Sequence, residues 1–176
     1  MIVSGAVLPI PRPNIDTDQI IPAKHLTTID DSGMGEFAFT GMTGGRDLLA
    51  EHPDAVVWVA GENVGCGSSR EHAVWAIQGI GIRAVVAPSF ARIFHENCYA
   101  NGVVPLIFDA ALIPGFAAAK TITIDVENET ISADGGEAIA FRLDPARKRF
   151  VLHGGFLKYL HGKIPEIRAW EAARAS

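Results

Sequence analysis

What this sequence lacks narrows its reading before any motif is considered. It has no basic block: 15 lysines and arginines against 20 aspartates and glutamates leave a net charge of −5. A polyanionic partner such as nucleic acid is therefore not expected. No apolar run approaches the ~18 residues of a membrane span. Met1–Pro13 shows no charged stretch followed by an apolar one, so no export signal is read there. The chain has only two cysteines, Cys66 and Cys98, far apart and without metal-ligand spacing. They read as reduced thiols of a cytoplasmic protein. No Lys-Ser/Thr pair follows Gly67, which excludes a phosphate-binding P-loop. Gly-x-Ser-x-Gly cannot be laid over Ser68 or Ser69, which excludes a nucleophile elbow. There is no internal repeat and no low-complexity tract. Charged residues are scarce at 20%, while hydrophobic residues reach 48%. That balance excludes disorder and suits a large buried face or a partner surface. At 176 residues the chain is most simply one domain, residues 1–176.

What is present centres on Gly61–Trp75. The apolar, β-branched Ala55–Ala60 precedes it, and the helix formers of Glu71–Gln78 follow it. Strand, glycine-rich turn and helix start bring free N–H groups and a positive dipole end to one place, which suits an anion. Ser68, Ser69 and Arg70 sit at that place, so a carboxylate site is expected there. Cys66 near His72 admits a thiol nucleophile or a small residue packed in a tight turn.

The rest of the chain reads in order. Met1–Leu8 alternates weakly and reads as an edge strand. Pro9, Pro11 and Pro13 then forbid regular pairing. In Asn14–Pro22, Asp16 and Asp18 lie two apart. They form either an acceptor cluster on one side of an extended segment or turn caps at a helix start. Lys24–Gly45 is irregular and glycine-rich, as functional or mobile loops are. Arg46–His52 reads as a short helix. Strands are expected at Ala55–Ala60, Ile82–Ala87 and Val103–Phe108, with helices between them, the second over Phe90–Ala100 capped by Ser89. This alternation indicates parallel α/β units. From Lys120 the period becomes two, giving a hairpin from Thr121–Val126 to Thr130–Ala133 and a further strand in Ala138–Leu143. Two helices, Gly154–Leu160 and Pro165–Ala173, close the chain, the second amphipathic through Ile167 and Trp170.

Three blocks carry a resemblance. Gly61-x-Asn-x-Gly-Cys-Gly-Ser-Ser-Arg-Glu-His-Ala73 closely resembles the motif of the 3-isopropylmalate dehydratase small subunits, the separate-chain form of the aconitase swivelling domain. Asn14-Ile-Asp-Thr-Asp-Gln-Ile-Ile-Pro22 and Ser89–Pro105 are similar to that family's N-terminal motif and to its second helix with the following strand. The blocks come in family order over residues 14–105. The resemblance implies an α/β fold: a swivelling β/β/α three-layer domain with parallel α/β units and an antiparallel β portion.

It also implies chemistry. Family members pair with a large subunit that holds a 4Fe–4S cluster through its own cysteines, so no cofactor and no metal are expected on this chain. The reaction moves a hydroxyl between neighbouring carbons of a malate-type dicarboxylic acid by dehydration and rehydration. The family's catalytic base maps onto Ser68. Substrate binding maps onto Ser69, Arg70 and Gly67, with Asp16, Thr17, Asp18 and Lys24 supporting the site and Asp18 orienting one of its groups. A serine alkoxide needs cationic and N–H surroundings, and the helix start and Arg70 are expected to supply them. One departure bears on substrate. Residues 25–31 carry no arginine but hold Asp30 and Asp31, which disfavours a third carboxylate. Maleate, citraconate or methylmalate, and dimethylmalate stay open beside isopropylmalate. A stand-alone carboxylate-binding module is the reading of another class. Lys24–Gly45 is expected to contact the large subunit and to order on assembly.

Overall fold

The computed structural model describes residues 1–26 and 31–174. Among these, the strands are β1 Ile2–Ile10, β2 Ala55–Ala60, β3 Ala84–Ala87, β4 Val104–Ile107, β5 Thr121–Asp125, β6 Thr130–Ala133 and β7 Ile139–Ala140. They form one mixed sheet in the order β4-β3-β2-β1-β5-β6-β7. The pairs from β1 to β4 are parallel, and those from β1 through β5 and β6 to β7 are antiparallel. The helices are α1 Thr17–Ile20, α2 Gly45–Glu51, α3 His72–Gly79, α4 Arg92–Ala100, α5 Ile113–Ala118, α6 Pro145–Leu152 and α7 Phe156–Ala172. The α/β class and its division into a parallel and an antiparallel portion are as the sequence indicates. No helix among the described residues is long and apolar enough to cross a membrane.

Successive strand residues point to opposite faces of the sheet. Leu8, Ile10, Trp58, Ala60 and Val85 enter a core with Ile20, Val74, Ile77, Phe94 and Cys98 of the helices. Val7, Val57, Val59, Ala84 and Val86 enter a second core with Phe116, Ile122, Ile131, Phe141 and Val151. Both faces are covered, which is why β2 and β3 are continuously apolar rather than alternating.

Several expectations need correction. β1 is not an edge strand but the middle of the sheet, between β2 and β5. Its weak alternation reflects burial from both faces. Pro9 does not end it and pairs with Val59 of β2. The β5 partner stops at Ala6, and the vacant side tolerates the missing N–H. Ser89 does not cap α4, which starts at Arg92 with Ala91 in the cap position. Residues 31–45 are irregular and turn-rich as expected, with one 3-10 turn over Met34–Phe37, yet they are packed. Met34, Ala38, Phe39 and Met42 are core residues, and Gly35 lies so close to Gly79 that a Cβ on it would meet that carbonyl carbon at 2.5 Å. Asp30 lies outside the described residues. The two terminal helices are one, because α7 continues through Pro165. The helix is exposed there, so water can serve the carbonyl that proline leaves unpaired. The helices α5 and α6 were unexpected, although the Asp144-Pro145 start of α6 is a good N-cap followed by proline at N1.

Candidate active site

Parallel strands in register bring their carboxyl ends together, the usual place for a ligand in such sheets. Ile10 of β1 pairs with Ala60 of β2, and Val59 of β2 with Val86 of β3. The loops that leave these ends are stitched to one another. The Asn14 N–H donates to the Glu62 carbonyl at 2.8 Å, and the Gly65 N–H to the Ile15 carbonyl at 2.7 Å. The Asn63 N–H donates to Ser89 Oγ at 2.8 Å. Ser89 thus pins the glycine loop to the end of β3, a role its good capping chemistry concealed.

The loop itself depends on glycine at two places. Gly65 has φ +74°, and a Cβ there would lie 2.1 Å from Phe94 Cγ. Gly67 has φ +88° and turns the chain back toward Thr17. Thr17 is 1% exposed, and its hydroxyl serves Ser68 twice. It accepts from the Ser68 N–H and donates to the Ser68 carbonyl, both at 3.1 Å. The backbone of Ser68 is fixed in this way, while its side chain stays exposed.

Asp16 and Asp18 divide the two open readings between them. Asp16 caps α1: its Oδ1 accepts from the Gln19 N–H at 2.7 Å, and Gln19 Oε1 accepts from the Asp16 N–H at 3.0 Å. Asp18 belongs to the site. Its Oδ1 accepts from Arg70 Nη1 at 2.5 Å, and Arg70 Nη2 donates to Ser68 Oγ at 3.3 Å. The two carboxylates do not share a face as in an extended segment, because α1 begins between them at Thr17. The Arg70 hydrogen bond is the largest cause that holds the Asp18 carboxyl below its ordinary value, aided by the guanidinium charge and the Ala23 N–H.

The helix start contributes less than expected. α3 begins at His72, with Glu71 in the cap position, so Ser68, Ser69 and Arg70 precede the helix. The cationic contact to Ser68 Oγ is the Arg70 guanidinium. Ser69 is exposed beside it. Lys24 is exposed, one residue beyond Ala23, whose N–H reaches Asp18 at 3.3 Å. The structure does not bring Lys24 into hydrogen-bond contact with Ser68 or Arg70. Burial first, and the Asp16 charge second, push the Cys66 thiol above its ordinary value, which opposes a nucleophilic role. Among the described residues, no three of histidine, cysteine, aspartate and glutamate gather as a metal site. Cys98 is fully buried in the core.

The chain has known relatives. A family model described as the aconitase C-terminal domain matches residues 1–111. The 3-isopropylmalate dehydratase small subunit of Dinoroseobacter shibae is 44% identical, over 97% of this chain and 92% of its own length. That of Herpetosiphon aurantiacus is 42% identical, over 95% and 90%. The chain belongs to the family of 3-isopropylmalate dehydratase small subunits. A crystal structure of 3-isopropylmalate dehydratase from Methanocaldococcus jannaschii superposes with a TM-score of 0.79 at 31% identity, covering 97% of this chain and 99% of that one. The swivelling α/β fold of these small subunits is therefore the fold of this chain.

Within that fold, sequence reasoning missed the pair that closes the loop: Asn63 Nδ2 donates to Asn14 Oδ1 at 2.8 Å. Both residues have φ +57°, a conformation that asparagine tolerates better than most side chains. Their signal was an asparagine in each of two motif blocks.

Proposed function

We propose that this chain is the small subunit of a 3-isopropylmalate dehydratase, a hydro-lyase that interconverts 2- and 3-isopropylmalate by dehydration and rehydration in leucine biosynthesis. Residues 1–176 act as one swivelling domain in a cytoplasmic hetero-oligomer. The observation that carries this reading is the line from Asp18 through Arg70 to Ser68, on a chain that aligns almost end to end with small subunits. Ser68 has no evident purpose in mere binding, so the hydro-lyase is favoured over a carboxylate-binding module.

Ser68 Oγ, as the alkoxide, takes the proton from the carbon next to a substrate carboxylate and becomes the neutral hydroxyl, and the released electron pair forms the double bond as the substrate hydroxyl departs as hydroxide. In rehydration the Ser68 hydroxyl returns its proton to carbon as hydroxide adds to the neighbouring one. Arg70 serves both stages. Its Nη2 N–H lowers the cost of the Ser68 alkoxide, and the guanidinium meets the carboxylate onto which charge spreads. A guanidinium carries five N–H donors, more than the two that Asp18 and Ser68 engage. Ser69 and Gly67 complete the carboxylate cradle, Thr17 fixes the Ser68 backbone, and Asp18 fixes Arg70. Asp16 supports the site by capping the turn that presents Thr17 and Asp18, and Lys24 adds positive charge at its edge. The large subunit, through its 4Fe–4S cluster, supplies the Lewis acid for the substrate hydroxyl and carboxylate. Asp31 and the absence of arginine from residues 25–31 favour a dicarboxylate with an apolar substituent over a tricarboxylate.

The test is assembly with a large subunit that carries the cluster cysteines. Alkene absorbance is followed from 2-isopropylmalate, 3-isopropylmalate and citraconate. Turnover of the isopropylmalates by the complex, and none by this chain alone, is expected. Turnover by the isolated chain, or a complex that hydrates citraconate and leaves isopropylmalate untouched, would overturn the reading.

A further inference from the structure

Asn101 is the C-cap residue just beyond α4, its N–H bonded to the carbonyls of Asn97, Cys98 and Tyr99. Its side chain does more. Oδ1 accepts from Trp75 Nε1 at 2.9 Å, while Nδ2 donates to Glu71 Oε1 at 2.8 Å and to the Asn97 carbonyl at 2.9 Å. Its carbonyl accepts from Gln78 Nε2 at 2.7 Å. Residues 71, 75 and 78 follow one face from the cap of α3 into the helix, so the single cap residue of α4 holds α3 at its cap, its middle and near its end. The amide orientation follows from its partners: Nδ2 faces two acceptors and Oδ1 faces a donor.

Asn101 is itself held firmly. A Cβ on the following Gly102 would lie 2.6 Å from the Gly154 carbonyl carbon, so the end of α4 is packed backbone to backbone. Glu71, in the cap position of α3, makes no capping bond with its side chain and gives its carboxylate to Asn101 instead. The segment Ser68–Glu71 is then tied at both ends, by Thr17 at Ser68 and by Asn101 at Glu71. Arg70 lies between the ties.

The geometry points to Asn101 as a positioning residue for the proposed reaction: through Glu71 it fixes where Arg70 stands relative to Asp18 and Ser68. This rests on the reading of Ser68 and Arg70 given above. Asn101 touches neither substrate nor reacting atoms. Its effect is on alignment, where a displacement of about 1 Å can cost on the order of a hundredfold in rate.

Asn101→Asp sets a carboxylate against Glu71 while keeping an acceptor for Trp75. Adding Glu71→Gln restores the Glu71 bond with donor and acceptor exchanged, while the Asn97 carbonyl lacks its donor from residue 101 in both variants. In the assembled enzyme, N101D is expected to lower kcat by about tenfold or more, and N101D with E71Q to recover it to within about threefold. Rescue ties the loss to the Glu71 bond, and a signal from Arg70 itself separates its positioning from a general loss of structure. A readout independent of turnover is the Arg70 Nε–Hε resonance of the full chain by 15N NMR. It is expected to move in N101D, to return in the double variant, and to move likewise in Glu71→Ala, which removes the same bond from its other side. An Arg70 resonance unmoved in both N101D and E71A overturns the inference, as does a kcat loss that E71Q fails to rescue. A wild-type complex inactive on isopropylmalate would instead overturn the proposed function and leave the resonance to decide this point.

Discussion

Arg70 stands between Asp18 and Ser68, with Nη1 on the aspartate carboxylate at 2.5 Å and Nη2 on the serine hydroxyl at 3.3 Å. The three side chains come from α1 and from the loop after β2, which meet because β1 and β2 run parallel and in register. Arg70 is held in one orientation, and its charge is aimed at the Ser68 oxygen, the proposed base. Side-chain exposure of 15% for Arg70 against 55% for Asp18 places the cation in the drier position, where it acts more strongly on a developing charge.

Arg70→Lys tests the need for a fork. Lysine keeps the charge but presents a point cation that cannot reach Asp18, Ser68 and a carboxylate in one plane. We expect kcat/KM of the complex to fall by about 10²–10³-fold, with assembly unchanged by gel filtration.

Asp18→Asn tests the orienting carboxylate and carries a sign in pH. The folded Asp18 carboxyl lies below its ordinary value of 3.8, chiefly through the Arg70 hydrogen bond. Its contribution is therefore complete above 3.8 and is lost as the pH falls through the lower folded value. We expect D18N to lose about tenfold in kcat/KM, by the same factor from about pH 6 to 9, where Asp18 stays charged throughout. The small stability advantage of the wild type, well under about 1 kcal/mol for so exposed a pair, is expected to fade in melts as the pH drops below 3.8.

Gly65→Ala and Gly67→Ala separate two costs. Both residues have positive φ, but only at position 65 does the methyl run into a ring, at 2.1 Å from Phe94 Cγ. The nearest contacts at position 67 are an ordinary 3.5 Å. Urea unfolding is expected to show a loss of about 2–4 kcal/mol for G65A and about 1–2 kcal/mol for G67A.

Cys66 is expected to react slowly with iodoacetamide at pH 8, more slowly than a free thiol, because burial and Asp16 keep it protonated. Cys66→Ser is expected to leave kcat within a few-fold of wild type. A hyper-reactive Cys66 would revive a nucleophilic role.

The sequence showed the parallel core plainly, since Val56-Val57-Trp58-Val59 and Val85-Val86 are runs that only a sheet covered on both faces would bury. It also showed the glycine loop and the side chains that meet there, because Ser68 and Arg70 stand in a motif. Other features were hidden for physical reasons. The central place of β1 depends on β5, a partner more than a hundred residues away. Pro165 reads as a break only if the helix around it is buried. Asp16 and Asp18 have the same chemistry and differ in role because α1 begins between them. The core residues Met34, Ala38 and Phe39 were masked by the glycines around them, which here allow close packing against α3 rather than looseness.

The central claim is that Ser68 is the base. It is tested most directly by Ser68→Ala in the assembled enzyme. The Ser68 backbone is held by Thr17, so the loop and the complex are expected to form as in the wild type by gel filtration. The rate of alkene formation from 3-isopropylmalate is then expected to fall by about 10²–10⁴-fold or more. An S68A complex that keeps turnover within about tenfold of the wild type would place the base elsewhere and contradict the account.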